Sequence, residues 1–113
     1  MRKTASTNYL NETELVQCPL MHALTVLGNR WKPYILYKLR DQPLRFSEIK
    51  QKIPSISERM LILSLKELTA AELIHRKDYQ QNPPKVEYSL TDRGKRLQPV
   101  LDTLCDWGKD LLG

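Results

Sequence analysis

Hydrophobic and polar positions change period along this chain, and each change marks an element. From Cys18-Pro19 onward, Leu20, Ala23, Leu24 and Leu27 recur at three and four residue steps. That spacing predicts a short amphipathic helix with Pro19 at its first position and Gly28 just past its end. A second helix is predicted after Asn29, with Pro33 early enough for a first turn and a stripe of Tyr34 or Ile35, Leu36 and Leu39 running up to Asp41. "PLRF" then reads as a stub strand. Ser47 is placed to cap a third helix that Pro54 closes, and Ser55 or Ser57 to cap a fourth that ends near Ala70-Ala71. The fourth helix is apolar on nearly every side. Leu61, Leu65 and Leu68 make one stripe, while Arg59, Ile62, Leu63 and Lys66 lie at i, i+3, i+4 and i+7 on the opposite face.

The period shifts to two in "LIHRKDY" and "KVEYSL", where Val86, Tyr88 and Leu90 alternate with Lys85, Glu87 and Ser89. These are the strands of a hairpin with "QQNPP" at its tip. Thr91 caps a last helix whose apolar face is Leu97, Val100, Leu101, Leu104, Cys105, Trp107 and Leu111, with Pro99 inside it. A helix-turn-helix followed directly by a hairpin is the order of a winged helix, in which the second helix of the pair enters a DNA major groove. The fold class expected is therefore α+β, mainly α, a winged helix-turn-helix with N- and C-terminal helices. A mobile arm over residues 1–17 is expected ahead of a single domain over 18–113.

Composition narrows the class. With 113 residues, 41% apolar and 27% charged, the chain suits one globular domain. No apolar run approaches the roughly 20 residues of a membrane span, and the N-terminal stretch lacks the apolar block of a secretory signal. A soluble cytoplasmic protein is expected, and its two widely separated cysteines, Cys18 and Cys105, are expected as thiols. Charge is segregated: residues 30–96 hold 15 of the 18 Lys and Arg against 8 of the 13 Asp and Glu. A basic middle between neutral and acidic ends suits a polyanionic partner, or else an ordinary solvated surface.

On these elements the candidate DNA-facing residues are Ser47, Ser55, Ser57, Glu58, Arg59, Ile62, Leu63 and Lys66 of the helix pair, with Arg76, Lys77 and Lys85 of the hairpin. The start of the fourth helix favours phosphate, Arg59 suits guanine or phosphate, and Ile62 or Leu63 could meet thymine methyls. Packing on a neighbour is the other reading for Ile62 and Leu63. A further alternative is that they form the partner patch of a winged-helix protein-interaction module.

Cys18 stands at the cap of a helix, where the positive end of the dipole favours thiolate, though a small buried hydrophobe is the ordinary state of a free cysteine. Cys105, in the middle of a stripe, reads as core. Catalysis is not expected: Cys18 and His22 are at i and i+4, but no oxyanion motif, Gly-rich loop or paired carboxylates complete a site. Nor are a metal or a cofactor expected, because Cys18, His22, His75 and Cys105 lack ligand spacing.

From Cys18 to Gly108 the chain resembles the HxlR-type regulators, a branch close to the MarR regulators. The resemblance is carried by Gly28 with Trp31, "RFSEI", "ISERML", "KVEYSLTDRGK" and the closing "WG". It implies a homodimeric bacterial transcription factor bound to a near-palindromic duplex, with Leu20, Leu24, Leu27, Leu101, Leu104 and Trp107 in the core or the dimer interface. It also implies that Cys18, just ahead of the first helix, senses a small electrophile or oxidant. Self-pairing or a mixed disulfide is then better supported than a bridge between unlike positions, since the DNA-binding half holds no second cysteine. One departure stands out: relatives usually carry polar residues, often Thr-Gln, where this chain has Ile62-Leu63.

Overall fold

Proline and glycine delimit the first helix, as their backbone chemistry requires. The computed structural model describes residues 18–113, so the expected arm over 1–17 lies outside the described residues. Helix α1, Pro19–Leu27, follows an extended Cys18 and ends at Gly28, whose φ of 71° suits a residue without a Cβ. The Gly28 N–H closes the last turn on the Leu24 carbonyl at 2.9 Å. None of the α1 side chains is buried.

Helix α2, Trp31–Lys38, stops short of Asp41. Its end tightens because the Leu39 N–H is shared between the Ile35 and Leu36 carbonyls at 3.1 and 3.2 Å, which turns Leu39 into the core. Ile35, rather than the exposed Tyr34, takes the buried position. Helix α3, Phe46–Lys52, begins one residue before Ser47, so Ser47 lies in the first turn and is not the cap. The Arg45 backbone N–H instead donates to Glu48 Oε1 at 2.8 Å, the return half of a capping box.

Helix α4, Glu58–Ala70, is capped by Ser57 and not Ser55: the Met60 N–H donates to Ser57 Oγ at 3.1 Å. Strands β1, Ile74–Asp78, and β2, Val86–Leu90, pair antiparallel from Ile74 opposite Leu90 to Asp78 opposite Val86. Leu44 of the stub segment adds one bridge to Tyr88, with N–H to carbonyl distances of 2.9 and 2.8 Å. Helix α5, Asp92–Leu112, starts where the Gly94 N–H donates to Thr91 Oγ1 and runs unbroken through Pro99.

The core lies where α2, α3, α4 and the base of the hairpin converge. Ile35, Leu36, Ile49, Ile53, Leu61 and Leu68 are fully enclosed there, and each fully buried side chain of this kind stabilises the fold by about 1.5 to 3 kcal/mol. Leu61, Leu65 and Leu68 are the buried stripe of α4, as their spacing predicts. Among the described residues, five helices and a two-stranded wing make a winged helix-turn-helix. No helix among the described residues is long and apolar enough to cross a membrane.

Candidate nucleic-acid interface

The side of α4 turned away from the core is open along its length. Its buried stripe fixes the helix on α2 and β1, while Arg59, Ile62, Leu63 and Lys66 face outward. Ile62 and Leu63 are 51% and 45% exposed, so neither is packed away on a neighbour within the protomer. At the start of the helix, Ser55, Ser57, Glu58 and Arg59 are all exposed. Ser57 Oγ accepts from the Met60 N–H, leaving its hydroxyl proton free to meet a phosphate oxygen.

Beside this face stands the hairpin. A cleft of about 350 Å³ runs between α4 and β1, lined by Ile62, Lys66 and Arg76 together with Phe46, Leu65 and Tyr88. Two candidate residues of the helix and one of the wing therefore share one concave surface. Lys77 and Lys85 do not join it. They converge on Tyr79, with their Nζ atoms 4.5 and 4.3 Å from the centre of its ring. Sequence reasoning passed over Tyr79. The signal available was an aromatic within reach of both lysines across a hairpin, visible only once the register of the strands is known. Ser47, exposed on α3, lies on the element that precedes α4.

The thiols are apart from this surface in the fold. Cys18 is half-buried at the start of α1, and His22 one turn later is exposed. Cys105 is also half-buried and stands outside the core, with the Tyr37 hydroxyl of α2 3.8 Å from its sulfur. The contact with Cys105 is the main cause of a Tyr37 phenol pKa above its ordinary value. Among the described residues no three His, Cys, Asp or Glu side chains gather as metal ligands.

Of the residues placed in the core or the dimer interface, Leu20, Leu24, Leu104 and Trp107 are at least half exposed, and Leu27 is half-buried against the core. Leu101 is different. It is 5% exposed and packs inside the protomer, which removes it from the interface set: α5 turns that position inward, toward α2.

The profile of HxlR-like helix-turn-helix proteins matches residues 26–113. The chain belongs to that family. An uncharacterized HTH-type transcriptional regulator of Bacillus subtilis, YkvN, is 52% identical over 83 residues, covering 74% of this chain and 70% of that one. Among solved structures, the redox regulator HypR in its oxidized form superposes with a TM-score of 0.78 at 44% identity, over 82% of this chain and 96% of that one. Quinone-bound YodB from B. subtilis superposes at 0.70 with 39% identity, over 83% and 99%. This protein is thus a transcriptional regulator of the helix-turn-helix type. Ile62 and Leu63 stand on the open face of this regulator.

Proposed function

We propose that the regulator acts as a homodimer that binds a near-palindromic duplex operator, with α4 in the major groove and the hairpin on the flanking backbone. One observation carries this reading: α4 is fastened by Leu61, Leu65 and Leu68 while Arg59 and Lys66 are left exposed, and Lys66 shares one cleft with Arg76 of the wing. Ser57 and the first turn of α4 hold a phosphate, and Arg59 reads a base or anchors the same backbone. Ile62 and Leu63, both exposed, meet thymine methyls. Dimer symmetry sets the half-sites about one helical turn apart, roughly 34 to 36 Å, or a multiple of it.

Cys18 is the thiol that an electrophile or oxidant reaches in this reading. Its position at the start of α1 supports that, as do the similar solved proteins, one a redox regulator and one bound to a quinone. Adduct or disulfide formation at Cys18 alters α1 and with it the spacing of the two α4 helices.

The test is selection of duplexes from a genomic library, followed by titration of the selected site in increasing salt. Affinity that falls steeply with salt supports the reading, and Arg59→Ala weakens binding by about 1 to 3 kcal/mol if it reads a base. Binding that is flat in salt or absent overturns it in favour of a protein-interaction winged helix, for which the exposed pair Ile62 and Leu63 supplies an apolar patch. For the thiol, Cys18→Ser should retain DNA when quinone or diamide releases the wild type. Equal release from both removes Cys18 as the sensor.

A further inference from the structure

The turn between α1 and α2 meets α4 at two points. Lys32 Nζ lies 2.8 Å from Glu67 Oε1 near the end of α4, and Asn29 Nδ2 makes a weaker contact with Met60 Sδ at 3.9 Å in its first turn. Met60 and Glu67 stand at i and i+7 on one stripe, and Ser64 between them is 1% exposed. Two contacts about 10 Å apart along a helix axis set the direction of the helix as well as its place.

Lys32 also reaches the other way. Its ammonium stands 3.5 Å from the Val26 carbonyl, one of the last four of α1, where carbonyls lack partners within the helix and positive charge is favoured. The side chain passes directly over Gly28, where a Cβ would lie 3.0 Å from Nζ and 3.2 Å from Cε. Gly28 thus leaves room for the lysine as well as making the turn. The contacts of α1 with the core are made at this same end, by Val26 and Leu27, while Leu20 and Leu24 are 65% and 52% exposed. One cation, itself 8% exposed, therefore joins the anchored end of an otherwise projecting α1 to α4.

We infer that Lys32, through its pair with Glu67, is the positioning residue that fixes the angle between α1 and α4 and so sets the half-site spacing the dimer accepts. This rests on the homodimeric, duplex-binding reading above and deepens it. With the apolar face of α1 in the contact between protomers, two such connections, one on each side of the dyad, hold the two α4 helices apart. One inserted base pair shifts a half-site by about 3.4 Å and rotates it by about 35°. A stiff connection rejects that change, and a loosened one lets α4 follow it. Buried as it is, Lys32 itself contacts no DNA.

The experiment measures the affinities of wild type, K32M, E67Q and K32M/E67Q for the selected operator, for the same half-sites with one base pair added or removed between them, and for a duplex with one base substituted in each half-site. A ratio of affinities taken on one protein cancels any loss of folded material, so lowered stability does not imitate the effect. K32M reduces the discrimination against altered spacing by about twofold to thirtyfold. E67Q does the same, and the double variant goes no further than K32M. Discrimination against the substituted half-site stays at its wild-type value throughout, and sedimentation finds every variant dimeric.

Spacing discrimination that K32M retains, or that it loses together with base discrimination or with the dimer, overturns the inference. So does an effect of K32M that E67Q does not share, because Lys32 would then act without its partner. Should K32M not fold, E67Q decides the matter, since its half-exposed side chain is altered only in charge. A wild type indifferent to spacing sinks the dimeric reading and the inference with it. A wild type that discriminates, matched by variants that discriminate equally, sinks the inference alone.

Discussion

Lys32 Nζ lies 2.8 Å from Glu67 Oε1, joining α2 to the last turns of α4. The two partners are unequally buried, with side chains 11% and 45% exposed. The lysine therefore bears most of the desolvation, and its other polar neighbour is the Val26 carbonyl of α1 at 3.5 Å. Glu67→Gln leaves a buried ammonium without its counter-charge and should destabilise the fold by about 1 to 3 kcal/mol. Lys32→Met removes the charge while keeping the packing, and should cost less. Urea midpoints of the two variants check the order. If Lys32→Met is the more damaging, the carboxylate and not the ammonium is the group that depends on the pair.

The glycines of α5 should respond to alanine with opposite signs. A Cβ on Gly94 would collide with the Leu73 carbonyl oxygen, a backbone atom that cannot swing aside, whereas a Cβ on Gly108 meets nothing within 4 Å. Gly94→Ala should destabilise by about 1 to 3 kcal/mol as α5 is pushed off the entry to β1. Gly108→Ala should stabilise by up to about 1 kcal/mol, through helix propensity alone. Thermal unfolding of both variants provides the comparison, and equal effects would show that the α5–β1 contact yields.

Neighbouring leucines on α5 should separate folding from association. Leu101 is buried, so Leu101→Ala should cost about 2 to 5 kcal/mol of stability. Leu104 and Trp107 are 50% and 60% exposed, and Leu104→Ser with Trp107→Ser should leave protomer secondary structure intact while lowering the mass found by sedimentation. Unchanged mass in that double variant places the dimer contact elsewhere.

The exposed pair on α4 should matter for binding and hardly for folding. At 51% exposure Ile62 contributes little to the core, so Ile62→Asn should shift stability by no more than about 0.5 kcal/mol. Duplex selection with this variant should lose a thymine at one position of each half-site, because asparagine offers an amide in place of a methyl-binding surface. Selection of the same consensus by both proteins would show that Ile62 reads no base.

The ends of the elements were legible in the amino-acid sequence where one residue acts on its own backbone. Pro19, Gly28, Ser57 and Thr91 stand at the boundaries their chemistry assigns them. The two boundaries that differed, at Ser47 and before Asp41, were settled by partners several residues away: Glu48 reaching back to Arg45, and Leu39 drawn into the core. The inner stripe of α4 followed from helical period, since Leu61, Leu65 and Leu68 can share one face in only one way.

Long-range pairing was not legible, because period and propensity say nothing about which elements meet. The Lys32–Glu67 bond spans three helices' worth of chain, and the place of Tyr79 between Lys77 and Lys85 depends on strand register. Likewise, spacing puts Leu101 and Leu104 on one apolar stripe of α5, and only the packing of α5 on α2 buries the first and leaves the second in solvent. Local chemistry thus specified the helices, the wing and the charge they carry. Which side chains face the core, the groove or a second protomer was decided by how those elements pack, since burial is a property of the assembled fold and not of any segment within it.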